Sequence, residues 1–182
     1  MEDHAPDDLL ARLDRVESRQ AIAALLTAYA RGVDRFDEAA IRACFWPEST
    51  HRHGAFDGRS WDFLAFAARI TSGMSHVAHH ISNVSVEAEG DRGFSECYYF
   101  AHHRRPSADG AAEEDAFYEG RYLDLHERRG GVWKIIQRRG LGDWAGVLPP
   151  GGLLPAWPDE QRSARAPDDA YYDMLNRFRR GG

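Results

Sequence analysis

The chain has 182 residues, 43% of them hydrophobic and 29% charged, which suffices for one compact domain with a sizeable core and leaves little for a second. A formal net charge of -6 argues against nucleic acid as a partner, because a polyanion is bound through a basic excess that displaces counterions. No apolar run is long enough to cross a bilayer, and the acidic start "MEDHAPDDLL" lacks the basic-then-apolar order of a secretion signal, so no membrane association is expected and a cytoplasmic location is the default.

From Asp7 to about Arg31, and just beyond at Val33, the apolar residues Leu9, Leu13, Val16, Ile22, Leu25, Leu26 and Tyr29 recur at three- and four-residue steps and predict helix, with Ser18 as a candidate cap for a second segment. Asp37 then leads "EAAIRACF", a short helix that closes before Pro47. "THRHGAF" reads as extended; Asp57 and Gly58 make a turn, and Ser60 caps a helix with Trp61, Leu64, Phe66 and Ile70 available for burial. From His76 the texture becomes a meander of about four strands, "HVAHHISNVSVEAE", "FSECYYFAHHRR", "AFYEGRYLDLHE" and "VWKIIQRR". Helices followed by an antiparallel sheet that curls over them indicate an α+β domain, placed at residues 1–146. Five of the eight prolines (Pro149, Pro150, Pro155, Pro158 and Pro167) fall in residues 147–182, read as an arm or lid with a short helix around "DDAYYDMLNRF". Its Leu153, Leu154, Trp157, Tyr171 and Leu175 favour packing on the domain or on a neighbouring subunit. Cys44 and Cys97 form no CxxC or disulfide framework and read as buried thiols.

Two residues stand out chemically. Leu26, Ala30 and Asp34 follow at four-residue steps, which puts a carboxylate beside the buried stripe at the helix end that the macrodipole makes least hospitable to it. The plain alternative is that Asp34 binds backbone in the turn "GVDRFDE". In "SHVAHHISN", Val77, His79 and Ile81 share one strand face, while Val84 and Val86 have the opposite parity. A β-bulge near Ser82 and Asn83 would reconcile them and turn His79 inward; an unbroken strand would turn His80 inward instead. His51 and His53 share a strand face, and with the pairs His79/His80 and His102/His103 they raise a metal-binding alternative, although adjacent strand residues point to opposite faces and give one inward ligand per pair.

The segments "AYARGVDRFDEAAI", "HVAHHISNVSVE" and "YLDLHERRGGVWKIIQRRG" resemble, in that order, the SnoaL-like branch of the nuclear transport factor 2-like superfamily over roughly residues 10 to 145. The resemblance implies a cone-shaped α+β barrel, a strongly curved, antiparallel or mixed sheet wrapped around N-terminal helices with a deep pocket. Within that branch the chain looks most like the dehydrochlorinase and dehydratase members. They imply a helix-end acid, here Asp34, that orients a histidine base, here His79, with a pocket arginine matched by Arg138 and a pocket tyrosine matched by Tyr29. A further acid of one dehydratase falls at Ala101, beside His102, so that relative's own reaction is not carried over.

A neutral imidazole is suited to removing a proton next to a leaving group, and a carboxylate on its other nitrogen fixes the tautomer and stabilises the imidazolium. Tyr29 could donate to a departing hydroxyl or developing enolate, and Arg138 could hold negative charge. Trp46, Phe63, Phe66, Tyr98, Phe100 and Phe117, with His102, are the expected walls of a substrate pocket for a hydrophobic cyclic or polycyclic compound. The expectation is a lyase or isomerase, dehydratase-like, working without cofactor or metal as a homodimer or homotrimer. The competing readings are a polyketide-cyclase-like enzyme and a non-catalytic small-ligand-binding or oxygenase small-subunit-like protein.

Overall fold

The computed structural model describes residues 6–148, 158 and 162–180. A single helix α1 runs over Pro6–Arg35. No glycine or proline interrupts the chain between Asp7 and Arg31, so Ser18 caps nothing; it is buried, with its hydroxyl 3.5 Å from Arg128 Nη1. Of the expected apolar stripe, Ile22, Leu26 and Tyr29 are buried, whereas Leu9, Leu13 and Val16 are exposed, so the packed part of α1 begins only near Ser18.

The helix stops at Phe36, whose φ of 54° is left-handed, and Asp37 N–H closes the end by donating to the Gly32 carbonyl at 2.9 Å. Asp37 then caps α2 (Glu38–Ala43) by accepting from Ala40 N–H at 2.9 Å, as expected. Gly32 permits this tight corner, since a Cβ there would lie 2.8 Å from Ile41 Cγ1. "THRHGAF" belongs to a hairpin of β1 (Phe45–His53) and β2 (Phe56–Arg59), followed by α3 (Ser60–Thr71). Because β2 pairs up to Arg59, that residue takes the cap position and Ser60 is already helical, its buried hydroxyl unpartnered among the described residues; the Ser60 cap is not formed.

The meander is present as β3 (His76–Glu89), β4 (Arg92–Pro106), β5 (Glu113–Arg129) and β6 (Val132–Leu148). β1 joins it parallel to β6, and the six strands lie in the order β2-β1-β6-β5-β4-β3. The sheet is strongly curved and unclosed, with α1 packed on β3 and α3 on β1 inside its concavity. This is the α+β cone architecture. Its core gathers Leu26, Tyr29, Phe45, Phe63, Tyr99 and Ile135. Both cysteines are free and buried, and burial pushes each thiol up to about 11.

The bulge in β3 lies where the phase slip places it. Register shifts between Ser82 and Ser85, and Asn83 takes a left-handed φ of 48°. β6 continues to Leu148, past the expected boundary at 146. Helix α4 (Ala170–Arg180) occupies the expected helical stretch, and Tyr171 and Tyr172 pack on Arg31 of α1. Leu153, Leu154 and Trp157 lie outside the described residues. None of the described helices is long and apolar enough to cross a membrane.

Candidate active site

The cavity of the cone has a volume of about 320 Å³ and is lined mainly by apolar and aromatic side chains, among them Val33, Phe63, Phe66, Ile70, Met74 and Tyr99. Asp34 and His79 meet at its edge. The Asp34 carboxylate accepts from the backbone N–H of His79 at 3.0 Å through Oδ2, while Oδ1 lies 2.6 Å from ring Nδ1. Both side chains are almost enclosed, at 13% and 11% exposure. Those two bonds offset the unfavourable position of a negative charge at the C-terminal end of α1. With Nδ1–H donating to the carboxylate, the neutral ring carries its lone pair on Nε2. His79 lines the cavity, and His80, on the opposite strand face, is exposed.

Tyr29 is buried against Phe45 and Tyr122 and also lines the cavity; burial pushes its phenol up to about 12, so it remains a hydrogen-bond donor. Arg138 is placed differently from expectation. It is absent from the cavity lining, fully buried beneath Tyr29 and Tyr122, with its guanidinium 4.0 Å and 4.4 Å from their ring centroids. Asp124 holds it through two bonds of 2.8 Å and 2.6 Å. The guanidinium is tied to a buried carboxylate below the pocket wall, outside the lining of this cavity, and its Nη1 is buried and unpartnered among the described residues.

Phe63 and Phe66 line the cavity as expected. Trp46, Tyr98, Phe100, Phe117 and His102 do not. Trp46 donates from Nε1 to the Glu127 carbonyl at 3.1 Å, with the Arg129 guanidinium over its ring. Phe100 stacks on Phe117, His102 stacks on Phe117 and bonds Asp115 at 2.7 Å, and Tyr98 lies near Arg121, all on the outer face of the sheet. The reason is strand phase. "CYYFAHH" is aromatic on both faces, so hydrophobicity could not choose its parity; in the fold the odd positions Tyr99, Ala101 and His103 turn inward.

The sequence reading therefore missed His53, His103, Arg105, Tyr118 and Tyr122 as lining. His103 stands edge-on to His79 with ring centroids 5.6 Å apart, its Nε2 buried and unpartnered among the described residues. Burial, then the neighbouring His79, pulls His103 down to about 4, so it is neutral near pH 7. Burial, then Arg138, likewise pulls His53 down to about 4 and His51 to about 2. His51 and His53 do share a face, but among the described residues no three His, Cys, Asp or Glu side chains converge as a metal cage would require.

Residues 14–139 match the model of the SnoaL-like domain. The chain belongs to the SnoaL-like family. SnoaL-like domains are part of the nuclear transport factor 2-like superfamily, and solved structures agree on the fold. A type 2 hexachlorocyclohexane dehydrochlorinase is 22% identical with a TM-score of 0.69, over 79% of this chain and 97% of that one. The type 3 dehydrochlorinase of Novosphingobium barchaimii gives 21% and 0.68, over 80% and 99%. A putative scytalone dehydratase from Novosphingobium aromaticivorans gives 17% and 0.64, over 81% and 97%. No functionally curated protein matches the sequence.

Proposed function

We propose that this SnoaL-like chain is a cofactor-independent lyase or isomerase, most nearly a dehydratase, that removes a proton from a hydrophobic cyclic or polycyclic substrate. The observation that carries the reading is the pair of hydrogen bonds that Asp34 accepts from His79 at the edge of an apolar cavity. His79 Nε2 takes the proton from carbon, and the imidazolium so formed is stabilised by Asp34. In a dehydration the C–H electron pair becomes the new double bond, and the hydroxyl leaves with a proton. The proton lodged on His79 then passes to the group that protonated the hydroxyl, which returns the site to its starting protonation state. Tyr29 and neutral His103 line the same cavity as His79 and are the donors we assign to this exchange. The dehydrochlorinase and dehydratase names of its structural neighbours fit such an elimination.

The test needs no leaving group. Ring ketones incubated in D₂O with the protein should exchange their acidic hydrogen for deuterium, read by mass spectrometry, and His79→Ala and Asp34→Asn should each lose most of that exchange. Undiminished exchange in His79→Ala would sink the mechanism. We extend the proposal to a cytoplasmic homodimer or homotrimer; the exposure of Phe94, Phe100, Trp144 and Val147 on β4 and β6 is consistent with a second copy covering them.

A further inference from the structure

Helix α1 carries two apolar faces, and its own domain covers one of them. Ser18, Ile22, Leu26 and Tyr29 are buried, whereas Leu9, Leu13 and Val16 are 62%, 49% and 61% exposed. At about 100° per residue the two stripes lie about 150° apart around the helix. Arg128 of β5 grips Asp14 and Ser18 on the covered side, which leaves the outer stripe facing away from the domain. That stripe has the spacing of a coiled coil. Leu9, Leu13, Val16, Gln20 and Ala23 follow at steps of four, three, four and three residues, the d, a, d, a and d positions of a seam about 21 Å long. On this assignment Arg12 is a g residue and Glu17 is the e residue five positions later. Both are exposed, and neither side chain has a partner among the described residues.

We propose that residues 9–23 of α1 pair in parallel with the same segment of a second copy of this chain, with Arg12 and Glu17 setting the orientation. In two parallel helices each g residue faces the e residue five positions on in the other, so Arg12 of each copy meets Glu17 of the other. An antiparallel pair would set g against g and bring the arginines Arg12 and Arg19 together. Gln20 selects the same register, because at an a position in a parallel pair it faces its own copy and the two amides bond each other, whereas a slip of one heptad sets it against Leu13. Each domain hangs on the far side of its own helix, which leaves the seam open to the second copy. A parallel pair also brings the two Asp34 ends of α1 to one end of the assembly. The seam is a different surface from the sheet face of β4 and β6, and the proposal does not depend on the dyad reading.

Cys44 and Cys97 are buried, so an introduced surface cysteine reports on its own surroundings. In a glutathione redox buffer the full chain carrying Val16→Cys should form a disulfide between copies, because a d residue of an in-register parallel pair faces itself. Arg15→Cys, one position away and off the seam, should stay a thiol. Adding Arg12→Glu to the Val16→Cys protein turns both cross-pairs repulsive and should lower the equilibrium yield of disulfide about fivefold or more; adding Glu17→Arg as well should restore it. Residues five apart do not face each other on one helix, so restoration reports contact between copies. An acid in the early turns of a helix favours it, so the loss with Arg12→Glu is not fraying. Leu9→Cys, at the other exposed d position, carries the test if circular dichroism shows Val16→Cys unfolded. Disulfide yield no higher than that of Arg15→Cys, a yield indifferent to Arg12→Glu, or no restoration by Glu17→Arg overturns the proposal; a stripe covered by another protein or by a lipid surface would give the first of these results.

Discussion

Asp34 holds His79 through both carboxylate oxygens, one on ring Nδ1 at 2.6 Å and one on the backbone N–H at 3.0 Å. One side chain thereby sets the ring's tautomer, its rotation and the position of the strand beneath it. Preorganisation of this kind keeps the base from paying orientation entropy during the reaction.

An amide has one acceptor oxygen where a carboxylate has two. Asp34→Asn can keep the backbone bond or the ring bond, and its NH₂ opposes the Nδ1–H tautomer. Turnover in the exchange assay is expected to fall by about 10²–10⁴-fold with KM little changed. A KM increase with unchanged kcat would place Asp34 in binding instead.

Acid should unfold the protein early. His53, His103 and His126 are each pulled down to about 4 and His51 to about 2, with burial the leading cause in all four. Below the unfolded histidine value near 6.5 the unfolded chain binds more protons than the native one, so stability is present above that pH and is lost as pH falls toward 4. Each histidine contributes a slope of up to about 1.4 kcal/mol per pH unit in this window. Melting temperatures measured at steps from pH 7 to 4.5 should drop steeply. His51→Phe, which retains the stack on Phe63 at 3.9 Å, should flatten the curve.

The Arg138–Asp124 pair predicts a stability effect ahead of a catalytic one. Both side chains are fully buried, and removing one leaves the other charge uncompensated. Asp124→Ala should cost roughly 3–5 kcal/mol, a fall in Tm of roughly 10 °C for a chain of this size. A variant that melts like wild type but has lost deuterium exchange would return Arg138 to the pocket chemistry.

The bulge residue is selective for backbone reasons. At a φ of 48° Asn83 is tolerated and glycine would be at least as comfortable, whereas a β-branched side chain clashes. Asn83→Gly should be near neutral and Asn83→Val should cost about 1–2 kcal/mol. Equal denaturation midpoints for the two variants would contradict this account.

The parts of the site legible in the sequence were those in which local pattern and packing agree. Asp34 continues the Leu26–Ala30 stripe, and the clash of parity between Ile81 and Val84 located the bulge and, with it, His79 rather than His80. Tyr29, Phe63 and Phe66 were legible because a helix has one buried face and they occupy it. β4 and β5 were not. Tyr98, Tyr99 and Phe100 are all apolar enough for the core, and a strand assigns its faces by register with neighbours far away in the chain. Hence Phe100, Phe117 and His102 were expected inside and are found outside, while His103 and Tyr118 were overlooked. Arg138 faces inward, but its pairing with Asp124 depends on two strands meeting, which no local spacing reveals.

The segment 162–180 surrounds Asp34 on both sides in sequence. Arg165 lies 4.0 Å over Phe36 and donates to the Met74 carbonyl, Ala166 N–H donates to Arg35, Asp169 meets Arg35, and Tyr172 donates to Asp37. These partners are 91 to 135 residues apart along the chain. Contacts of such separation require large loops to close and form late in folding. Refolding from denaturant should therefore regain its far-ultraviolet dichroism before it regains deuterium exchange, with the support around the acid among the last features to set.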